Sequence, residues 1–320
     1  MVGNDNGEMS SLPSPAVFQG GLRLPDWGLL RVQGADAGSF LHGQLTQDIE
    51  SLAEGEARLA GYCSAKGRLL ATFVVWRAEA DTYLLACSAD LLQPTLKRLS
   101  MFVLRAKAKL TDVSAQFPLH GLMGDNVRQM LGGESDAAPW SVGRVGTAQV
   151  LRLPDVQGIA RGLWCAPADA GAPEVPPLPA AAWQWLEVTS GIPRITAATA
   201  EQFVPQMVNL EAVDGVNFRK GCYPGQEVVA RSQYRGTLKR RSLLFQCDAP
   251  AAPGQELFHS EDPSQPAGMV VNAASFEGRH ALFAEVKLAA LDSGSLHLAA
   301  VDGPRLERKE LPYALPTEAG

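Results

Sequence analysis

No C-x-x-C pair occurs anywhere in these 320 residues, and the five cysteines present are an odd number. A disulfide framework and a structural zinc site both need paired thiols, so neither is expected. The four suitably spaced thiolates that hold an intrinsic iron–sulfur cluster are missing too, so no stably bound metal is expected. Nor is there a G-x-G-x-x-G loop, a P-loop or an H-E-x-x-H helix. The apolar runs are too short to span a bilayer, and MVGNDNGEMSSLPSP carries neither a basic n-region nor an apolar h-region of a signal peptide. The net charge of −6 argues against a general nucleic-acid binder and against direct DNA binding, while leaving room for a local basic face. Together these absences suggest a cytoplasmic protein without a membrane partner.

What is present begins with length: 320 residues, 46% of them apolar, make two or three domains with a sizeable core. Residues 1–16 read as a disordered leader. The most distinctive stretch is FVPQMVNLEAVDGVNFRKGCYPGQEVVARSQYRGTLKRR, residues 203–241. Cys222 lies in it between Gly221 and Gly225, with Lys220 before it and Gln226-Glu227 after it. From Arg219 to Arg241 it carries seven Lys or Arg against one acidic residue, Glu227. Glycines allow a tight turn or a close approach. A helix starting at Gln226 would aim its first N–H groups back toward Cys222, and a helix N-terminus and nearby cations both favour thiolate. Cys222 is therefore the candidate reactive thiol, with Lys220 and Arg231 as the cations beside it. Cys63, Cys87, Cys165 and Cys247, among small or apolar neighbours, read as packing residues.

Elsewhere the pattern is alternating. Val17 to Val32 contains a strand ending in LLRVQG, and Asp36 is placed to cap a helix carrying Phe40, Leu41, Leu45 and Ile49. Gln44, Thr46, Gln47 and Asp48 read as its solvated face. Residues 56–88 form a meander in which Ala65-Lys66-Gly67-Arg68 is a turn; Lys66 and Arg68 either solubilise it or meet an anion. Ala89 to Met101 is helical, with Pro94 taken into its first turn. FVLRAKAKLTDV then reads as a strand. A second α/β unit covers Phe117 to Trp164, and the Pro- and Ala-rich Pro167 to Pro179 is a linker or an exposed crossing. AAAWQWLEV (180–188) is a helix whose Trp183 and Trp185 read as core, followed by a turn at Gly191 and Pro193. After Arg241, five short runs separated by turn residues suggest a small antiparallel barrel or sandwich. The boundary falls near Lys239, dividing the chain into 17–238 and 239–320.

At K-G-C-Y-x-G-Q-E followed by V-A-R the chain resembles the YgfZ family, relatives of the glycine-cleavage T-protein. FLHGQLTQD (40–48), SAKGRLLATF (64–73), FVLRAKAKL (102–110), SGIPRI (190–195) and FVPQMVNL (203–210) agree with it. The resemblance implies an α+β, T-protein-like folate-binding fold of two interlocked subdomains with a C-terminal β-barrel. It implies tetrahydrofolate or a derivative in a central cavity, and a role in assembling or repairing [4Fe-4S] proteins, with tRNA modification following indirectly through them. Folate contacts are then expected from Gly221, Tyr223, Gly225, Gln226, Lys66, Arg68, Arg194, Gln206 and Asn209, and thiol chemistry from Cys222, Lys220, Glu227 and Arg231. Cys222 would be at most a transient metal ligand.

The chain also departs from T-proteins. Ala71-Thr72 stands where they carry an acidic pair beside the folate's reacting nitrogens, so charge developing in aminomethyl transfer would lose its partner. Thr189 stands where they place a pterin-gripping Glu, with Glu187 as a shifted substitute. A folate-dependent one-carbon transferase and a non-catalytic scaffold remain the two alternatives to an iron–sulfur maintenance factor. On the residues alone, Tyr223 is a packing aromatic and Arg240-Arg241 a solvated junction. Arg194 serves a folate glutamate tail or an ordinary surface ion pair, and the basic cluster is equally fit to dock an acidic protein.

Overall fold

The computed structural model describes residues 17–132, 137–234 and 238–316; the leader expected over 1–16 lies outside them. The chain builds three sheets whose strands pair antiparallel. Strand β1 (Gly20–Arg23) enters the first sheet, and the chain then leaves it. β2 (Trp27–Gln33), β3 (Ala57–Cys63), β4 (Leu69–Glu79), β5 (Thr82–Ser88) and β6 (Lys109–Asp112) make the second sheet, in the order β3-β4-β5-β2-β6. Only afterwards does it return to the first sheet with β7 (Leu119–Met123), β8 (Val142–Val145), β9 (Ala148–Val156) and β10 (Ile159–Cys165), ordered β1-β7-β10-β9-β8. That excursion and return interlocks the two α+β halves. The Pro167 to Pro179 stretch is a crossing: it runs beside β1, where Gly21 N donates to Pro176 O and Leu178 N to Gly21 O.

The third sheet holds β11 (Arg240–Cys247), β12 (Glu256–His259), β13 (Gly268–Phe276), β14 (Arg279–Lys287), β15 (Leu296–Leu298) and β16 (Glu307–Lys309). Its order is β15-β12-β13-β14-β11-β16. The ring closes because one extended segment pairs on both sides. Leu298 N donates to Pro304 O and Leu306 N to Leu296 O, while the next residues, β16, pair with β11. Closure removes the sheet edges. The period of two along β14 then buries both faces. Leu282, Ala284 and Val286 fill the barrel, while Ala281 and Phe283 join the main core that runs through the other two sheets.

Five α-helices occur among the described residues: α1 (Ala37–His42), α2 (Ala89–Val103), α3 (Asp125–Met130), α4 (Ala180–Thr189) and α5 (Gln226–Tyr234). None is long and apolar enough to cross a membrane. Helix α4 packs on β13 and β14, and its Trp183 and Trp185 are buried as expected.

Four local expectations are corrected. Helix α1 stops at His42 rather than carrying Leu45 and Ile49, because Thr46 N turns to Gly61 O on β3. Asp36 does not cap it by its side chain; its carboxylate instead accepts from Lys107 N at 2.7 Å. Pro94 lies in the second turn of α2, where it withholds the N–H that Asp90 O would have met. And most of FVLRAKAKLTDV is not strand: α2 runs to Val103, Leu104 reverses the chain at φ 38°, and pairing resumes only at Lys109.

Candidate functional site

The cysteine loop is built by two clamps. In the first, Lys220 turns its ammonium back onto the chain: Nζ donates to His42 O at 2.5 Å, Leu45 O at 3.0 Å and Gly221 O at 3.4 Å. It also lies 4.8 Å from the centroid of the buried Tyr223 ring. Burial lowers the Lys220 pKa to about 8, the charges of Asp48, Cys222 and Glu50 opposing that shift. In the second, Gly225 sits at φ +79° against the Ser64–Arg68 turn, where Gly67 sits at φ +71°. The positions SAKGR and KGCYPGQE, far apart in sequence, thus meet backbone to backbone. From Gly225 the chain enters α5, with Glu227 in its first turn, where the helix dipole favours a carboxylate. Gln206 Nε2 donates to Val229 O at 2.8 Å and holds that helix from beneath.

Between the clamps Cys222 is exposed. It differs in this from its four counterparts. Cys63, Cys87 and Cys165 are buried, and burial pushes each thiol up to about 12. Cys247 is half-buried, its Sγ 2.9 Å from Ala249 O.

A separate cavity lies between the interlocked halves, beside α4. Its free volume is about 40 Å³, and it is lined by Trp27, Thr72, Trp183, Glu187 and Arg194 among mostly apolar neighbours, with Arg161 at its wall. That is well below the roughly 300–1,000 Å³ of small-molecule sites, so a pterin-sized ring would have to part its walls. Arg194 Nη2 meets Asp26 Oδ2 at 2.7 Å, and its guanidinium lies 5.2 Å from the Trp27 ring centroid. Burial opposes the Arg194 charge, but Glu187 and Asp26 outweigh it and hold its pKa above the ordinary value. Burial raises the Glu187 carboxyl, against the pull of Arg194, and lowers Arg161 to about 10. Glu187 Oε1 and Arg194 Nε stand 3.0 Å apart but misaligned, so each lacks a hydrogen-bond partner, as do the indole N–H groups of Trp27 and Trp183. Buried polar atoms left unpaired are costly and call for a partner. Thr72 adds no charge here: its Oγ1 accepts from Ile195 N at 3.0 Å.

The expected residues therefore fall into several places. Cys222, Lys220, Gly221, Tyr223, Gly225 and Gln226 share the clamped loop, with Lys66 and Arg68 exposed on the turn beside it. Arg68 is bonded to Gln202 O. Arg231 is exposed on α5. Arg194 belongs to the cavity, half-buried in ion pairs with Asp26 and Glu187. Asn209 does neither job: at φ +58° it donates to Ser242 O at 2.7 Å and to Tyr313 Oη, tying the barrel to the core. Arg240 and Arg241 are no solvated junction. Arg241 is buried against Glu211, and Arg240 pairs with the buried Glu285. Thr189 is likewise occupied, donating to Trp185 O at 2.8 Å. The solvated face read at 44–48 is a set of pins: Thr46 Oγ1 donates to Gly215 O at 2.6 Å and Gln47 Nε2 to Asp214 O at 2.6 Å, and both residues are buried. His42, missed in sequence, bonds through Nδ1 to Asp48 Oδ1 at 3.0 Å. The only signal for that pair was a six-residue spacing across Gly43, which no regular helix explains.

Residues 26–160 match the GCVT N-terminal domain family. In three dimensions the chain resembles the glycine cleavage system aminomethyltransferase T of Bartonella henselae, with TM-score 0.67 at 16% identity over 94% of this chain and 88% of that one. At that identity the likeness speaks for the fold. Sequence relatives are closer. A tRNA-modifying protein YgfZ from Edwardsiella ictaluri is 36% identical over 238 residues, 70% of each chain. Another, from Aliivibrio fischeri, is 30% identical over 318 residues, 96% of this chain and 95% of the relative. With matches of this extent running through the interlocked halves and into the barrel, the chain belongs to the YgfZ family.

Proposed function

We propose that this chain is a folate-binding protein of the cytoplasm that supports assembly or repair of [4Fe-4S] proteins, with Cys222 as its reactive thiol. The observation that carries the reading is the sorting of the cysteines: four are packed and one is presented on a loop fixed from both sides. A thiol held so rigidly and so openly suits exchange with a partner's thiols or transient ligation of iron. The iron–sulfur protein is then the client, and tRNA modification, the activity in the relatives' names, follows through clients that perform it. The exposed Arg231, Arg219 and Lys66 beside the loop suit an acidic surface on such a client. Residues 17–238 form the folate-binding part in this reading, and 239–320 the barrel.

The chemistry of the cavity residues suits a folate once the walls part to admit its ring. Trp27 and Trp183 offer flat apolar walls with unpartnered N–H donors, and Glu187 offers an unpartnered acceptor to the N–H edge of a pterin. Bound there, a tetrahydrofolate would supply a one-carbon unit on its ring nitrogens. No carboxylate from β4 meets it, since Thr72, Phe73 and Val74 are the β4 residues on that wall, which weighs against aminomethyl transfer.

Calorimetric titration with tetrahydrofolate and its 5-formyl form, on wild type and Cys222→Ser, tests the reading. Saturable binding by both proteins is expected, because cavity and thiol are separate. No binding by either would sink the folate half. Normal iron–sulfur enzyme activity in cells carrying Cys222→Ser would sink the thiol half and leave a scaffold.

A further inference from the structure

We propose that His42, oriented by Asp48, is the base that takes the proton from Cys222. This rests on the reading of Cys222 as the working thiol and adds to it the group that activates it. His42 is the last residue of α1, and the cysteine loop runs directly past its ring. A Cβ built on Gly221, the residue before Cys222, would stand 3.5 Å from His42 Nε2. The loop cannot drift from this place, because Lys220 Nζ binds the carbonyl of His42 itself.

The tautomer follows from the partner. Asp48 Oδ1 lies 3.0 Å from Nδ1, and an ionised carboxylate only accepts, so the proton sits on Nδ1 and the lone pair on Nε2. Among the described residues nothing bonds to Nε2. Asp48 is itself held: Ser51 N reaches Oδ1 at 3.2 Å, Ser51 Oγ reaches Oδ2 at 2.7 Å, and Arg58 grips the Asp48 carbonyl. Burial alone would raise the Asp48 carboxyl, but the Ser51 bonds and the His42 and Arg58 charges outweigh it and keep it below the usual range. The arrangement is therefore acceptor, imidazole and, at Gly221, the backbone of the thiol loop; among the described residues Cys222 Sγ makes no bond to Nε2, so the transfer runs through a rotated thiol or one bridging water.

The step balances without a co-reactant. The S–H bond of Cys222 breaks, an N–H bond forms at His42 Nε2, and the resulting imidazolium faces Asp48 while the thiolate is left on the loop. The charged groups around the ring are Asp48 on its own strand of chain, Lys220 on the loop, and Glu50 and Arg58 beyond Asp48.

The test is the rate of Cys222 alkylation by iodoacetamide, followed by mass spectrometry from pH 5 to 9. Wild type, His42→Gln and Asp48→Asn would be compared, with Cys222→Ser to assign the labelled site. His42→Gln should slow labelling at pH 7 by about tenfold and leave a profile that rises only as a plain thiol ionises. Asp48→Asn should move the profile the same way by a smaller amount while His42 stays in place, which keeps the test decisive if His42→Gln unfolds. Superposable profiles for all three proteins would overturn the role of His42. Cellular function in Cys222→Ser would instead remove the thiol reading itself, whatever these profiles show.

Discussion

Gly225 and Gly67 lie backbone against backbone: a Cβ on Gly225 would stand 2.6 Å from both the Cα and the N of Gly67. Neither neighbour is a flexible side-chain tip, so nothing there yields cheaply. Gly225 also sits at φ +79°, where an L side chain is strained. Gly225→Ala is expected to cost roughly 2 kcal/mol of stability or more by urea unfolding. The same variant should also expose the loop to limited proteolysis near Cys222. Unaltered stability with an unaltered digest would mean that the loop is not clamped by this contact.

Lys220 supports the loop from the other side. Lys220→Met leaves the carbonyls of His42 and Leu45 without their donor, which should cost roughly 1–3 kcal/mol. A pH dependence accompanies it. Burial lowers Lys220 to about 8 in the folded chain, against 10.5 as its ordinary value. Between those values the unfolded chain binds a proton that the folded chain does not, so this lysine makes stability rise with pH across the window. The effect is muted because the group is half-exposed. Urea midpoints measured from pH 7 to 10.5 should therefore rise slightly more steeply for wild type than for Lys220→Met. Parallel curves would place the lysine in a solvated setting.

Much of this architecture is legible in the sequence, for a physical reason. Short alternating runs such as HALFAEVK state a strand whatever they pack on, and K-G-C-Y-P-G-Q-E states a tight turn before a helix. What the sequence conceals is decided by contacts across long separations. Helix α1 ends early because Thr46 finds Gly61, and Gln47 is buried because it finds Asp214. Arg194 turns inward to the cavity's edge because Asp26, 168 positions away, meets it there. A local window sees polar residues in each case and reads solvent. The His42–Asp48 pair is hidden differently: both residues are near in sequence, but the loop that gives the ring its neighbour arrives 178 positions later.

In the cavity, Glu187 answers both Arg194 and Arg161, and removing it leaves one buried and one half-buried cation with less compensation. Glu187→Gln keeps the shape and discards the charge. It is expected to destabilise the chain by about 3 kcal/mol in urea, in the range for breaking a buried pair. Tetrahydrofolate affinity by calorimetry should fall at least tenfold, about 1.4 kcal/mol, if this carboxylate grips the pterin. Unchanged affinity in a folded Glu187→Gln protein would move the ligand elsewhere.

The joint between core and barrel supplies the sharpest stability test. Arg241 is buried, pairs with Glu211 and also donates to Gln206 O at 3.1 Å, while burial raises the Glu211 carboxyl against the pull of Arg241. Arg241→Met therefore leaves an acid in an apolar setting, at an expected cost of about 3–5 kcal/mol. Glu211→Leu alone strands the guanidinium by the same logic. The double variant strands neither, so it should recover most of the loss, and a double-mutant cycle should return a coupling of at least 2 kcal/mol. Tyr313→Phe probes the adjoining strap more gently, removing the bond to Gly191 O at 2.7 Å and the one accepted from Asn209 Nδ2 at 3.2 Å, for about 1–2 kcal/mol. If Arg241→Met and Glu211→Leu prove additive, the joint is held by packing alone, through Leu244, Val271 and Phe283 on the barrel's core-facing side. The barrel would then be expected to unfold in the same transition as the core even with the pair gone, because those residues belong to a hydrophobic cluster continuous with it.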